Sequence, residues 1–97
     1  MQSANYVLVL ADRGKSVVMN GTSLTLTIPA NASVAFPVGT AIVVINVNSS
    51  ALSIAITSDT LTLVNSTTTG TRTVAQNGMA TLVKVGTTSW IIAGLGV

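Results

Sequence analysis

The sequence predicts an all-β fold: one domain over residues 1–97, an antiparallel β-sandwich, jelly-roll-like or a small barrel, of about eight or nine short strands. Three observations carry that expectation. Apolar residues alternate with Thr and Ser, as in Ser23-Leu-Thr-Leu-Thr-Ile28, so an extended segment has one dry face and one wet face. Val, Ile and Thr, all branched at Cβ, recur throughout, which lowers helix propensity and suits a pleated surface. Little or no helix is expected. Clusters of Asn, Asp, Gly and Ser interrupt the apolar runs at short intervals, the spacing of a sandwich or barrel rather than of βαβ units.

Taken in order, Tyr6-Val-Leu-Val-Leu10 is apolar on both faces and needs cover on the side that does not meet the core. Ala11-Asp-Arg-Gly14 turns the chain into the strand Val17-Val-Met19, and Asn20-Gly21 supplies the positive φ of a tight turn. Leu24, Leu26 and Ile28 then share one face of a strand, with Thr25 and Thr27 on the other. The next segment, Ile28-Pro-Ala-Asn-Ala-Ser-Val-Ala-Phe-Pro-Val-Gly-Thr40, holds both prolines of the chain and its only phenylalanine. Pro29 has no amide donor to continue a ladder, Pro37 restricts Phe36 to extended backbone, and Gly39 permits a bend. The segment therefore reads as a stiff crossover anchored by Phe36. It feeds Ile42-Val-Val-Ile-Asn-Val47, again apolar on both faces. After the turn Asn48-Ser-Ser50 come the strand Ala51–Thr57, the turn Ser58-Asp59 and the strand Thr60–Val64. Asn65 to Gly70 is a loop, Asn77-Gly78 and Gly86–Ser89 are turns, and Trp90-Ile-Ile-Ala-Gly-Leu-Gly-Val97 ends the sequence. Neither an internal repeat nor a linker stands out.

Composition narrows the function. Hydrophobic residues make up 48% of the chain and charged residues only 6%, far below the roughly 25% of an ordinary soluble domain. No apolar run approaches the ~18 residues of a spanning helix, so no membrane is expected. The start, Met1-Gln-Ser-Ala-Asn-Tyr6, lacks the features of a secretory signal, and the mature chain is expected to begin there. With no Cys and no His, disulfides, thiolate nucleophiles, the usual zinc clusters and the commonest general base are absent. Arg13, Lys15, Arg72 and Lys84 are scattered without aromatic interleaving, so nucleic acid is not an expected partner.

Each chemical motif has a simpler structural explanation. Gly14-Lys-Ser16 lacks the earlier glycine and following helix of a phosphate-binding loop, because position 9 is Val and Val17-Val-Met19 is a strand. The sequons at Asn20, Asn31, Asn48 and Asn65 read as surface turns. Asp12 and Asp59, the only carboxylates, suit turns better than an acid–base pair. A serine nucleophile would have only Lys15 or Lys84 as base and no elbow motif. The Thr-rich tract Asn65–Thr71 is a single, glycine-broken loop rather than a threonine ladder. No catalytic residue, cofactor or metal is expected.

Apolar excess points instead to association. A compact 9.8 kDa chain exposes ~5,000 Å², and four basic and two acidic side chains do little to keep such surfaces apart. Contacts of ~800 Å² with each of two partners in a homotrimer would cover about a third of that. Tyr6, Leu8, Leu10, Phe36, Trp90, Ile92 and Leu95 are the candidate assembly contacts; for Trp90 and Ile92, closing the core is the competing reading.

Three ordered segments carry a family resemblance: Leu10–Asn20, Leu24–Val44 with its "TIPANASVAFPVGT", and Ala80–Gly94, "ATLVKVGTTSWIIAG". Together they resemble a small β module of tailed-bacteriophage structural proteins, and the likeness spans nearly the whole chain. It implies a virion protein that binds rather than catalyses. A module of this size without a shaft is similar in scale to head decoration, or cement, proteins, which sit as homotrimers on the outer surface of the head and bind the major capsid protein. The alternative it implies is a tail-fibre or tail-spike component that contacts other tail proteins or a host-surface ligand, with Asn65–Thr71 as ligand face.

Overall fold

A computed structural model describes residues 2–64, 66 and 69–95, with the backbone alone at Leu95. Its strands are β1 (Tyr6–Val7), β2 (Ser16–Met19), β3 (Thr25–Ile28), β4 (Ala41–Asn46), β5 (Leu52–Ile56), β6 (Thr60–Leu63), β7 (Arg72–Val74), β8 (Met79–Gly86) and β9 (Ser89–Leu95), with one 3₁₀ turn at Leu10–Asp12. They form two sheets, β1-β3-β5-β7 and β2-β4-β8-β9-β6. The arrangement is a sandwich and not a closed barrel.

The antiparallel expectation is corrected. Four of the seven strand pairings are parallel: β1 with β3, β2 with β4, β3 with β5, and β6 with β9. The reason lies in the turns. From β1 to β8 each strand enters the sheet opposite to its predecessor, so Asn20-Gly21 and Asn48–Ser50 are arches across the sandwich rather than hairpins. Strands one full circuit apart then stack in the same direction: Leu26 lies beside Ile54, and Val17 beside Val44. The chain winds as a flattened coil, and antiparallel pairing enters only with β7, β8 and β9.

The arches stack as well. Gly21 N–H donates to Asn48 Oδ1 at 2.8 Å, Ser23 N–H to Ser50 Oγ at 2.9 Å and Ser49 N–H to Gly21 O at 3.1 Å, while the Thr22 and Ser49 hydroxyls meet at 2.9 Å. Asn48 is therefore buried, 1% exposed, and holds an arch together instead of marking a surface turn. Asn46, also buried in β4, donates from Nδ2 to Val74 O, Ala75 O and Ser50 O at 2.9–3.1 Å and accepts from Asn48 N–H. It ties the five-stranded sheet to the end of β7.

Between the sheets lies an apolar core that includes Leu8, Leu26, Ile28, Ile42, Val44, Ile54, Leu82, Trp90 and Ile92. The crossover is seated as the two prolines suggest. It joins β3 in one sheet to β4 in the other, Gly39 adopts φ +94°, and Phe36 packs edge-on to Trp90 with ring centroids 5.5 Å apart.

Candidate interaction surface

Strict alternation gives each sheet one inward and one outward row set, and the two outward faces differ. On the five-stranded sheet the outward residues fall into cross-strand rows: Val18–Ile45–Met79, Ser16–Val43–Thr81–Ala93 and Ala41–Val83–Ile91–Thr62. None of the charged residues of the chain lies in these rows. Met79 is 53% exposed, and Val85, next along β8, is 50% exposed. This is the second apolar side that Ile42–Val47 predicts, and within the single chain it faces outward. A depression of about 310 Å³, bounded by Asn77, Gly78, Met79, Thr81 and Gly94, opens at one end of it. Gly94 is required there, because a Cβ would stand 2.1 Å from Met79 O.

On the four-stranded sheet the rows are Thr25–Ser53–Thr73 and Val7–Thr27–Ala55. Hydroxyls dominate, and Val7 at the edge is the one large apolar side chain.

Edges offer less than faces. Gln2 runs along the free edge of β2, with Gln2 N–H donating to Val18 O at 2.7 Å and Asn20 N–H to Gln2 O at 2.8 Å. Thr69 bridges to Thr62 and Gly70 N–H donates to Leu61 O, which occupies the outer edge of β6. In the other sheet the edge strands β1 and β7 have only two and three residues, too short to template an added strand.

The contact residues expected from sequence are mostly elsewhere. Leu8, Phe36, Trp90 and Ile92 are at most 3% exposed and close the core; the outward side of β9 carries Ile91 and Ala93 instead. Leu10 is exposed at the 3₁₀ turn. Tyr6 is partly buried and donates its hydroxyl to Asp12 Oδ2 at 2.7 Å. The side chain of Leu95 lies outside the described residues, as does much of the Asn65–Thr71 loop.

Asp12, Asp59 and Lys84 have structural roles. Asp12 Oδ2 also accepts from Val9 N–H at 2.9 Å, fixing the 3₁₀ turn. Because Tyr6 donates to this carboxylate, and burial and the negative charge act in the same direction, its hydroxyl is pushed up to about 12. Lys84 is the residue that sequence reasoning missed: it is 1% exposed, and its Nζ donates to Asn31 Oδ1 at 2.6 Å and Phe36 O at 2.7 Å. Asn31 N–H in turn donates to Asp59 Oδ2 at 3.0 Å. Lys84 and Asp59 thus pin the crossover from two sides. The one hint was parity, since Lys84 follows Ala80 and Leu82 on an inward row.

Among the described residues no group of His, Cys, Asp or Glu is placed to hold a metal ion, and no helix is long and apolar enough to cross a membrane. No protein-family model, curated protein or solved structure matches the chain.

Proposed function

We propose that this chain is a structural assembly protein of a bacteriophage virion, a decoration protein that works as a homo-oligomer on the outside of the head. The observation that carries the assembly reading is the uncharged, apolar outer face of the five-stranded sheet. Four adjacent strands, β2, β4, β8 and β9, turn Val, Ile, Ala or Met outward, which is costly at about 25 cal/mol per Å² of apolar surface left in water, and contiguous exposed patches of this kind mark protein contacts. The virion assignment is supported by the resemblance of Leu10–Asn20, Leu24–Val44 and Ala80–Gly94 to phage structural modules. Such a protein acts mechanically: many copies on one lattice multiply modest individual contacts, and no turnover is involved.

Because the edges of the five-stranded sheet are occupied, the contact is made by packing faces rather than by adding a strand to an edge. The test is to raise antibody to the purified chain and label phage particles for electron microscopy. Regular labelling over the head is the expected result. Labelling confined to the tail would replace decoration with the tail-component alternative, and a chain that sediments as a monomer and never accompanies particles would overturn both.

A further inference from the structure

We infer that Lys84 and Asn31 are the two halves of an intramolecular isopeptide bond, a covalent link between β8 and the crossover that follows β3; this stands independently of the assembly reading. Lys84 carries a primary amine into the interior at 1% exposure, and both oxygens that accept from its Nζ, Asn31 Oδ1 at 2.6 Å and Phe36 O at 2.7 Å, are neutral. A buried lysine is ordinarily matched by a carboxylate. Here a carboxamide takes that place, and a carboxamide is also an acyl group that an amine can attack.

The reacting atoms are already close. With a carbonyl bond of about 1.23 Å, the hydrogen bond to Oδ1 places Nζ roughly 3 to 3.8 Å from Asn31 Cγ, spanning the near-attack range. Both residues are also fixed through their backbones. Lys84 N–H donates to Thr40 O at 2.9 Å and Lys84 O accepts from Gly39 N–H at 2.7 Å. Asn31 N–H donates to Asp59 Oδ2 at 3.0 Å, and Ser33 and Val34 N–H both donate to Ala30 O, closing a turn around Asn31. The orientational freedom that would slow a reaction between a free amine and a free amide is thus lost on folding. Trp90, the register partner of Lys84, meets the Phe36 ring edge-on and helps to enclose the amine.

In the reaction the Nζ lone pair adds to Cγ and the Cγ–Nδ2 bond breaks. Two of the three ammonium protons pass to Nδ2, which leaves as ammonium; the third stays on the new amide nitrogen, within reach of Phe36 O. Atoms and charge balance without an oxidant or co-reactant. Asn31 is only half-buried, so the ammonium has a way out. The product joins positions 53 residues apart and locks the crossover onto the five-stranded sheet.

Mass spectrometry of the purified, folded chain tests the bond. The expected mass is about 17 Da below that of the sequence, one ammonia, and a tryptic digest is expected to hold a branched fragment joining the peptides of Asn31 and Lys84. Succinimide formation at Asn20-Gly21 or Asn77-Gly78 also releases ammonia, but it gives no branched fragment and survives Lys84→Arg. Lys84→Arg and Asn31→Ala are each expected to abolish the branched fragment. If either variant fails to fold, the digest of the unmodified chain still decides. The full sequence mass in the unmodified chain, or an ammonia loss without the branched fragment, would overturn the bond, reduce Lys84 to a hydrogen-bond donor and leave the assembly reading untouched.

Discussion

The outer faces of the two sheets are made by the same alternation of side chains, yet Val, Ile, Ala and Met predominate on one and Thr and Ser on the other. Both inward rows supply Leu, Ile and Val to one core, with Asn46 and Lys84 as buried polar members of the five-stranded sheet and Arg72 opposite Ile54 in the other. Only the outward rows separate the sheets. Thr25, Thr27, Ser53 and Thr73 can exchange hydrogen bonds with water while keeping the β-branched shape that a strand prefers, and Val18, Val43, Ile45, Val83 and Ile91 have the shape without the hydroxyl. Sheet propensity is therefore satisfied on both faces, so folding alone does not account for the difference between them, and the proposed assembly would.

The contrast can be broken most directly by charge. Val83→Asp combined with Ile91→Asp puts carboxylates at the centre of the apolar face, and association is expected to weaken at least 100-fold, about 3 kcal/mol or more. Thr25→Asp with Thr73→Asp, the matched pair on the hydroxyl face, is expected to leave it unchanged. Sedimentation velocity across a dilution series measures both; equal effects would erase the distinction.

Next in size is a change behind the faces. Lys84→Met keeps the length of the side chain but leaves Phe36 O and Asn31 Oδ1 without their donor in a closed site, a loss of about 2–3 kcal/mol in urea unfolding. Asn46→Ala, which frees the Val74 and Ala75 carbonyls, is expected to cost about as much. Neither touches an outward row, so the proposed self-association is expected to be unchanged in both variants.

Salt sharpens the comparison further. An uncharged interface gives nothing for ions to screen, so moving from about 0.05 M to about 0.5 M NaCl should not weaken association. A marked loss would transfer the contact to Arg13 or Lys15 at the loops.

The smallest effect concerns Tyr6. Its folded-state pKa of about 12 lies above the ordinary value of 10.0, so the folded protein retains the proton over a range where the unfolded chain has lost it. The stabilisation is complete below pH 10 and disappears as pH rises from 10 through about 12. Alkaline unfolding of Tyr6→Phe should lack this component, visible as a shallower decline than in the unmodified chain over that window.

Much of the architecture was legible in the residues. Alternation in Ser23–Ile28 gave the right inward set, and the two-sided apolarity of Ile42–Val47 foretold an apolar outward side as well as an inward one. Pairing direction was not legible, because Asn20-Gly21 and Asn48–Ser50 encode a reversal of the chain without saying whether the returning strand joins the same sheet. The stacked arches would have told more. Val18-Met-Asn-Gly-Thr-Ser-Leu24 and Ile45-Asn-Val-Asn-Ser-Ser-Ala-Leu52 share a pattern offset by one inserted residue, a weak repeat that matters only once the strands lie parallel. Four of the candidate contacts, Leu8, Phe36, Trp90 and Ile92, are buried for a related reason: size drew attention to side chains that the core claims first, whereas the outward rows are made by the medium-sized residues between them. Lys84 was hidden because its acceptors, Asn31 and Phe36, lie far away in sequence.

The position of β8 has a consequence for biosynthesis. It is threaded between β4, made long before it, and β9, made just after, and β6 joins its sheet only through β9. A nascent chain can coil its first rungs while still on the ribosome, but the five-stranded layer cannot exist until β9 has emerged. The outer face of that layer is therefore the last feature of the described fold to be completed.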